Sequence, residues 1–539
     1  MLDSQRRGRE ERTLAGNEWT ADIIIRGGTI IDGTGRPRYR GDAAVKDGKI
    51  SALGDLSHEH GQMELDAEGL IVAPGFIDAH AHSDTSFVRD DSGASKLYQG
   101  VTTEITGNCG DSPFPASPGN SDPWQFPSFA DFLDAFSSRG CRMAVNQAIL
   151  AGHGTLREAV LGKENRAATP AEMDEMKRLL RRDLDAGAWG LSLGLEYAPG
   201  CFAGQEELNE LGKTVQEAGG IVTCHMRSEG LQIHSAIQEL AQIGRASGVP
   251  VHASHLKLDH YSVHGRAAEV WAEIEEINRQ GVRFTADAYP YTASSTTLTI
   301  RCPRWSLDGG REALLSRLCG PLRQEIIEGI RGHYFNAERA ETCLFSDDGG
   351  LWPQIVGKTL RYVAEKMLST TDYAEAAAEV LVRTQAKARC VFFVMSEEDM
   401  LYFLSRDICV GSDGYALPGD PEKVGYMPHP RSFGATAEFF RLAREKGLCG
   451  LEEAVRRVTG KPAGVFGLSD RGWLAVGLAA DITVFDPAVI APRAAYLRPV
   501  QLAQGVRHVI VNGAAALRDG RQTEERAGRF LRRKQEKRV

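Results

Sequence analysis

The sequence predicts an α/β protein: a (β/α)8 TIM barrel with a small β-sandwich domain built from both chain ends and a lobe inserted after barrel strand 7. Three observations lead there. Ile- and Val-rich runs broken by Gly turns occur near both ends of the chain. Between them, eight short apolar runs alternate with helical stretches. One interval, from Ala288 to Ile408, is about 120 residues long, far beyond a single barrel crossover.

Bulk properties narrow the class. A chain of 539 residues exceeds one ordinary compact domain but fits a barrel with an insertion and a smaller domain. Apolar content of 42% and charged content of 25% are those of a soluble globular protein. The net charge of −9 is spread along the chain, which argues against a nucleic acid or an anionic membrane as partner. No apolar run approaches the roughly 20 residues of a membrane span. Residues 1–20 are Arg- and Glu-rich and lack the apolar core of a secretory signal. Ten cysteines without a Cys-x-x-Cys pair indicate neither a disulfide framework nor a zinc ribbon. The expectation is a cytoplasmic protein with a small-molecule substrate; oligomeric state is not encoded in these totals.

In chain order, residues 1–20 are expected to form a mobile tail. Residues 21–70, with Asp-Gly turns between Ile/Val-rich runs, read as hairpins that pair with similar segments in 470–520. The barrel is assigned to 71–469. Its strands are placed at Phe76–His82, Thr102–Gly107, Ala144–Leu150, Gly190–Leu195, Ile221–Met226, Pro250–Leu256, Phe284–Ala288 and Ile408–Gly411. A helix starting with Thr169 as N-cap and Pro170 as its first residue separates the third and fourth. The inserted lobe is bounded at about 292–350, 521–539 is assigned as a basic C-terminal tail, and its end from Arg532 to Arg538 is expected to be mobile.

Polar residues recur at the C-terminal ends of these strands, the face where catalytic groups converge in such barrels. His80 and His82 are two apart and share a face if the strand continues, a spacing that can hold one metal ion. Further on come Asn108-Cys109-Gly110, His225-Met226-Arg227, His255-Leu256-Lys257 and Ser412-Asp413-Gly414. Each has an ordinary structural explanation alone, but their common position points to one site.

The strings Pro-Gly-Phe-Ile-Asp-Ala-His-Ala-His-Ser-Asp, Thr-Gly-Asn-Cys-Gly, Gly-Leu-Glu-Tyr-Ala-Pro-Gly, His-Met-Arg-Ser-Glu, Ala-Ser-His-Leu-Lys, Asp-Ala-Tyr-Pro-Tyr-Thr-Ala and Gly-Ser-Asp-Gly carry a resemblance. The chain resembles the metal-dependent amidohydrolase superfamily and, within it, the D-aminoacylase (N-acyl-D-amino-acid deacylase) family, over about residues 22–515. The resemblance implies a tightly bound Zn2+ on Cys109, His225 and His255. It implies a second, weaker metal site on His80, His82 and Asp413, the cysteine replacing a bridging lysine. It implies hydrolysis of N-acyl-D-amino acids to a carboxylate and a free D-amino acid, by a metal-activated water with the catalytic residue Asp413 as general base and acid. Lys257 and Arg431 are implied at the substrate α-carboxylate, with Tyr197, Tyr289 and Ser295 as supporting donors.

Side-chain preference stays open at this level. Arg301 or Arg304 could select an acidic D-residue (D-Glu or D-Asp), or Leu298, Ile300 and Trp305 could line an apolar pocket. A dipeptidase acting on a C-terminal D-residue and a cyclic-amide hydrolase of the hydantoinase type are the other enzymatic alternatives; Cys109 and the Glu-Tyr-Ala-Pro-Gly string argue against the latter. Gly190-Leu-Ser192-Leu-Gly194 fits the nucleophile-elbow pattern, but no helix start follows it. A barrel that had lost its chemistry would have lost ligands, whereas all six are present.

Overall fold

The computed structural model describes residues 20–117 and 120–533. The tail expected at 1–20 therefore lies outside the described residues up to 19, as does the basic segment 534–539.

Strands from both chain ends form one nine-stranded sheet. Ala21–Ile30 pairs antiparallel with Tyr39–Lys46 and parallel with Gly61–Asp66 and Ile71–Pro74. Ile71–Pro74 then pairs antiparallel with Ile482–Phe485, which joins the two ends. Alternation of side chains puts Ile23, Ile25 and Val45 in one apolar cluster and Ile24 and Ala44 in another. The sheet's hairpins turn on Asp47-Gly48, Asn512-Gly513 and Asp519-Gly520, each with both residues at positive φ. That is the two-residue geometry for which Asn-Gly and Asp-Gly are favoured. Phe485 packs on Phe76 and Phe440 with ring centroids 5.5 and 5.1 Å apart, seating the sheet against the barrel.

Eight strands make the barrel, in chain order: Phe76–Asp78, Val101–Thr106, Asn146–Ile149 continued by Ala151–Gly152, Gly190–Gly194, Ile221–His225, Val251–Ala253, Phe284–Ala288 and Cys409–Val410. Neighbours pair in parallel. The ring closes where Ala79 N donates to Val410 O (3.2 Å) and His82 N to Gly414 O (2.8 Å). The crossover helix Pro170–Asp185 starts in a complete capping box between Thr169 and Glu172, as the Thr-Pro start implied.

Two boundaries differ from the sequence reading. The lobe closes at Phe393, not near residue 350. Its sheet is Ala293–Thr297, Arg389–Phe393 and Cys343–Asp347, with Arg389–Phe393 in the centre. Helices Arg323–Arg331 and Tyr373–Arg383 pack on it around a separate apolar core that includes Ile326, Phe345 and Val380. The C-terminal segment is also not a free tail through residue 533. Leu531 N donates to Gln147 O, Trp189 Nε1 donates to Leu531 O, and Phe530 packs against Phe132 and Phe136. Aromatic burial and backbone pairing outweigh the solvation of its basic residues. All ten cysteines are free thiols, and no helix among the described residues is long and apolar enough to cross a membrane.

Candidate active site

The C-terminal ends of the barrel strands open into a cavity of about 320 Å³, lined by His82, Cys109, His225, His255 and Asp413 and roofed by residues of the lobe. The donor atoms of Cys109, His225 and His255 lie within 4.8 Å of one another, as do those of His80, His82 and Cys109 and those of His80, His255 and Asp413. Cys109 Sγ is 3.3 Å from His255 Nε2 and 3.5 Å from His80 Nε2; His225 Nδ1 is 3.0 Å from His255 Nε2. His82 Nε2 is 3.0 Å from Asp413 Oδ1. Five separate strand ends thus deliver six donors to one point.

The backbone is bent to do this. Cys109, His255 and Asp413 have φ of 54°, 38° and 51°. Non-glycine residues held there cost roughly 1–3 kcal/mol each and persist where the surroundings fix them. Gly411 permits the approach on the eighth strand: a Cβ there would stand 2.6 Å from His80 Cβ and 2.8 Å from Asp287 Oδ1.

Three histidines turn their outer nitrogen to a carboxylate that the sequence reading did not assign. His225 Nε2 is 3.0 Å from Glu196 Oε2, His255 Nδ1 is 2.9 Å from Glu229 Oε1, and His80 Nδ1 is 3.4 Å from Asp287 Oδ2. Such partners fix the tautomer, leave the inner nitrogen free to ligate, and raise its basicity. Lys257 Nζ also lies 2.9 Å from His255 Nδ1, but with Nδ1 protonated neither nitrogen offers a lone pair to the other, so both donate to Glu229, with which Lys257 is tightly paired. Asp287 accepts in addition from His252 Nε2 and from the His255 backbone N–H. The only signal for these carboxylates was their place inside strings already tied to the site: Glu196 just past the end of the fourth strand, Glu229 four residues after His225, and Asp287 on the seventh strand.

Electrostatics favour cation binding. Burial, reinforced by Lys257, holds His255 well below the ordinary histidine range, so the imidazole is neutral and able to ligate a cation. Burial alone would raise Asp413, but Arg431 and the neighbouring histidines outweigh it and keep the carboxylate ionised. Burial and Asp413 push the Cys109 thiol well up, so its thiolate form calls for a cation beside it. A cysteine and two imidazoles at this spacing are a donor set suited to zinc.

The expected substrate-binding residues gather at the same cavity, with one difference. Lys257, Arg431, Tyr197, Ser295 and Arg301 line it. Tyr289 stands behind, its ring beneath the guanidinium of Arg431 at 4.9 Å and its buried hydroxyl without a partner. Arg301 lies over Phe392 at 4.6 Å, whereas Arg304 turns away to donate to Arg227 O. Ser192 is no nucleophile: its buried hydroxyl accepts from Gly110 N.

Comparison with known proteins gives a consistent result. A model of the amidohydrolase family matches residues 63–302 and 413–516. The chain is 36% identical to a D-aminoacylase of Alcaligenes xylosoxydans xylosoxydans over 95% of its length and 97% of that protein. It is 36% identical to an N-acyl-D-glutamate deacylase of the same organism, covering 95% and 96%. It superposes with a TM-score of 0.81 and 33% identity, covering 95% and 99% of the two chains, on the N-acyl-D-glutamate deacylase of Bordetella bronchiseptica solved with zinc and a phosphonate mimic of the tetrahedral intermediate.

Proposed function

This chain belongs to the amidohydrolase family, and from that premise we propose that it is a zinc-dependent, cytoplasmic deacylase that splits N-acyl-D-amino acids into a carboxylate and a free D-amino acid. The observation that carries the reading is the clustering of six candidate metal donors, five of which line one cavity together with Lys257 and Arg431. Cys109, His225 and His255 would hold the firm zinc and His80, His82 and Asp413 a looser one. When bound, the metal supplies a Lewis acid for the amide carbonyl and a water acidified toward about pKa 7.

The chain's own residues do the rest. Asp413, ionised and facing His82 and Arg431, takes the proton of the attacking water. It returns that proton to the departing nitrogen, which cannot leave as an anion. Lys257 and Arg431 hold the substrate α-carboxylate, the guanidinium being suited to two parallel hydrogen bonds. Tyr197 and Ser295 frame that end of the cavity, and Tyr289 supports Arg431 from behind. One observation favours an acidic D-residue as substrate: Arg301 lines the cavity, and its buried Nε has no hydrogen-bond partner.

The test is a panel of N-acetyl amino acids in both enantiomers, with zinc measured on the same samples. Hydrolysis restricted to D-enantiomers, abolished by zinc removal and restored by readdition, is the expected result. Activity indifferent to zinc, or equal on both enantiomers, overturns it.

A further inference from the structure

Arg389 begins the central strand of the lobe sheet, between Thr297 and Asp347 in register, and its side chain lines the cavity. Its Nη2 donates to the hydroxyl of Tyr415 at 3.2 Å, and the Tyr415 ring lies tilted beside His82 with ring centroids 5.9 Å apart. The groups that act on the guanidinium are Tyr415, Tyr426 and Tyr197, with Asp347, its cross-strand neighbour, the weakest of the four. Among the described residues it makes no ion pair.

The two cations assigned to the α-carboxylate are different. Lys257 is paired with Glu229, and Arg431 lies 2.8 Å from Asp413. Arg301 is faced by Asp259 and Glu196 as well as Tyr334. Arg389 has hydroxyls around it, and its cross-strand neighbour Asp347 makes no ion pair with it among the described residues. Holding a guanidinium in a largely enclosed site without a counter-charge is unfavourable, and the planar fork is shaped for a carboxylate.

We propose that Arg389 is a specificity-determining residue that binds a second carboxylate of the substrate, beyond the α-carboxylate. The inference rests on the deacylase reading and deepens it. Two sources share this chemistry: the side chain of an acidic D-residue, or the free end of a dicarboxylic acyl group. The lobe, by placing Arg389 over the cavity, would then decide which N-acyl-D-amino acids are turned over.

The experiment compares Arg389→Met and Arg389→Lys with the unaltered zinc enzyme on N-acetyl-D-glutamate, N-succinyl-D-leucine and N-acetyl-D-leucine. Arg389→Met is expected to lower kcat/KM on one carboxylate-bearing substrate by about tenfold or more relative to N-acetyl-D-leucine, chiefly through KM. Arg389→Lys should recover part of that loss. Loss on N-acetyl-D-glutamate identifies the side chain as the source, and loss on N-succinyl-D-leucine the acyl group. Unchanged ratios for both substrates, or an equal fall on all three, overturn the proposal while leaving the deacylase reading intact. If Arg389→Met does not fold, the same ratios are read from Arg389→Lys and decide in the same way. Failure of the unaltered protein to hydrolyse any of the three overturns the deacylase reading and the proposal with it.

Discussion

Arg431 Nη1 lies 2.8 Å from Asp413 Oδ2, so a residue placed at the substrate α-carboxylate also touches the group placed to move the proton. Arg431→Met should therefore raise KM by about tenfold or more and also lower kcat, because the ion pair with the base is lost along with the contact to the substrate. Steady-state kinetics on N-acetyl-D-leucine check this. A change confined to KM would show that the contact with Asp413 has no catalytic consequence.

Asp413→Asn keeps the shape of the side chain and removes its charge. Turnover should fall by roughly 10²–10⁴-fold, the usual worth of a positioned general base. Zinc at the Cys109 site should survive, since its three donors do not include Asp413. Kinetics and metal analysis on one preparation settle the point, and activity within a few-fold of the parent would rule out the role.

The two halves of the metal cluster should respond differently to substitution. Cys109→Ala removes the thiolate from the Cys109, His225, His255 set and should lose both zinc and activity. His80→Ala leaves that set complete and should impair catalysis more than tightly held zinc. Equal zinc loss in both variants would contradict the division into firm and loose sites.

Glu229 receives His255 and Lys257 together. Glu229→Gln keeps the volume but cannot accept from both the His255 N–H and the Lys257 ammonium as well, and partners of this kind are typically worth 10–100-fold in metal affinity or activity. Zinc competition with a chelator should show weaker retention than in the parent. Unaltered retention and unaltered kcat would mean that His255 is oriented by packing alone.

Asp259 lines the cavity near Arg301, and burial, with Glu196 beside it, raises its carboxyl to about 6. Below that pH Asp259 is neutral; above it the group adds a negative charge next to Arg301. A substrate with a side-chain carboxylate, itself ionised above about pH 4.3, should bind better below pH 6 than above it. The ratio of kcat/KM for N-acetyl-D-glutamate over N-acetyl-D-leucine should fall as pH rises through 6, and Asp259→Asn should flatten the profile. A ratio independent of pH in the parent would separate Asp259 from the side-chain pocket.

The legible parts of the fold were local ones. Thr169-Pro170 marks a helix start by hydrogen bonds within four residues, and Asp47-Gly48 marks a hairpin by its own backbone freedom. Each candidate ligand lies within a few residues of a strand end, so a reading that located the strands also located His80, Cys109, His225, His255 and Asp413. The extent of the lobe was not legible, because Arg389–Phe393 pairs with Ala293–Thr297 across some 90 residues and nothing local announces the partner. The ordered course of Gly528–Arg533 was hidden for a related reason: its basic composition reads as solvated, while Phe530 and Leu531 find their contacts on Phe132, Gln147 and Trp189.

By itself the sequence determined the alternation of strands and helices, the candidate metal-ligating residue types and their place at one end of the barrel, because periodicity and short motifs act over one element at a time. Only the tertiary structure decided which charges meet. It gave Glu196, Glu229 and Asp287 to the histidines, tied Arg431 to Asp413 and left Arg389 among tyrosines. Coulomb energy and desolvation depend on distance through space and on burial, and both are set by how remote segments pack.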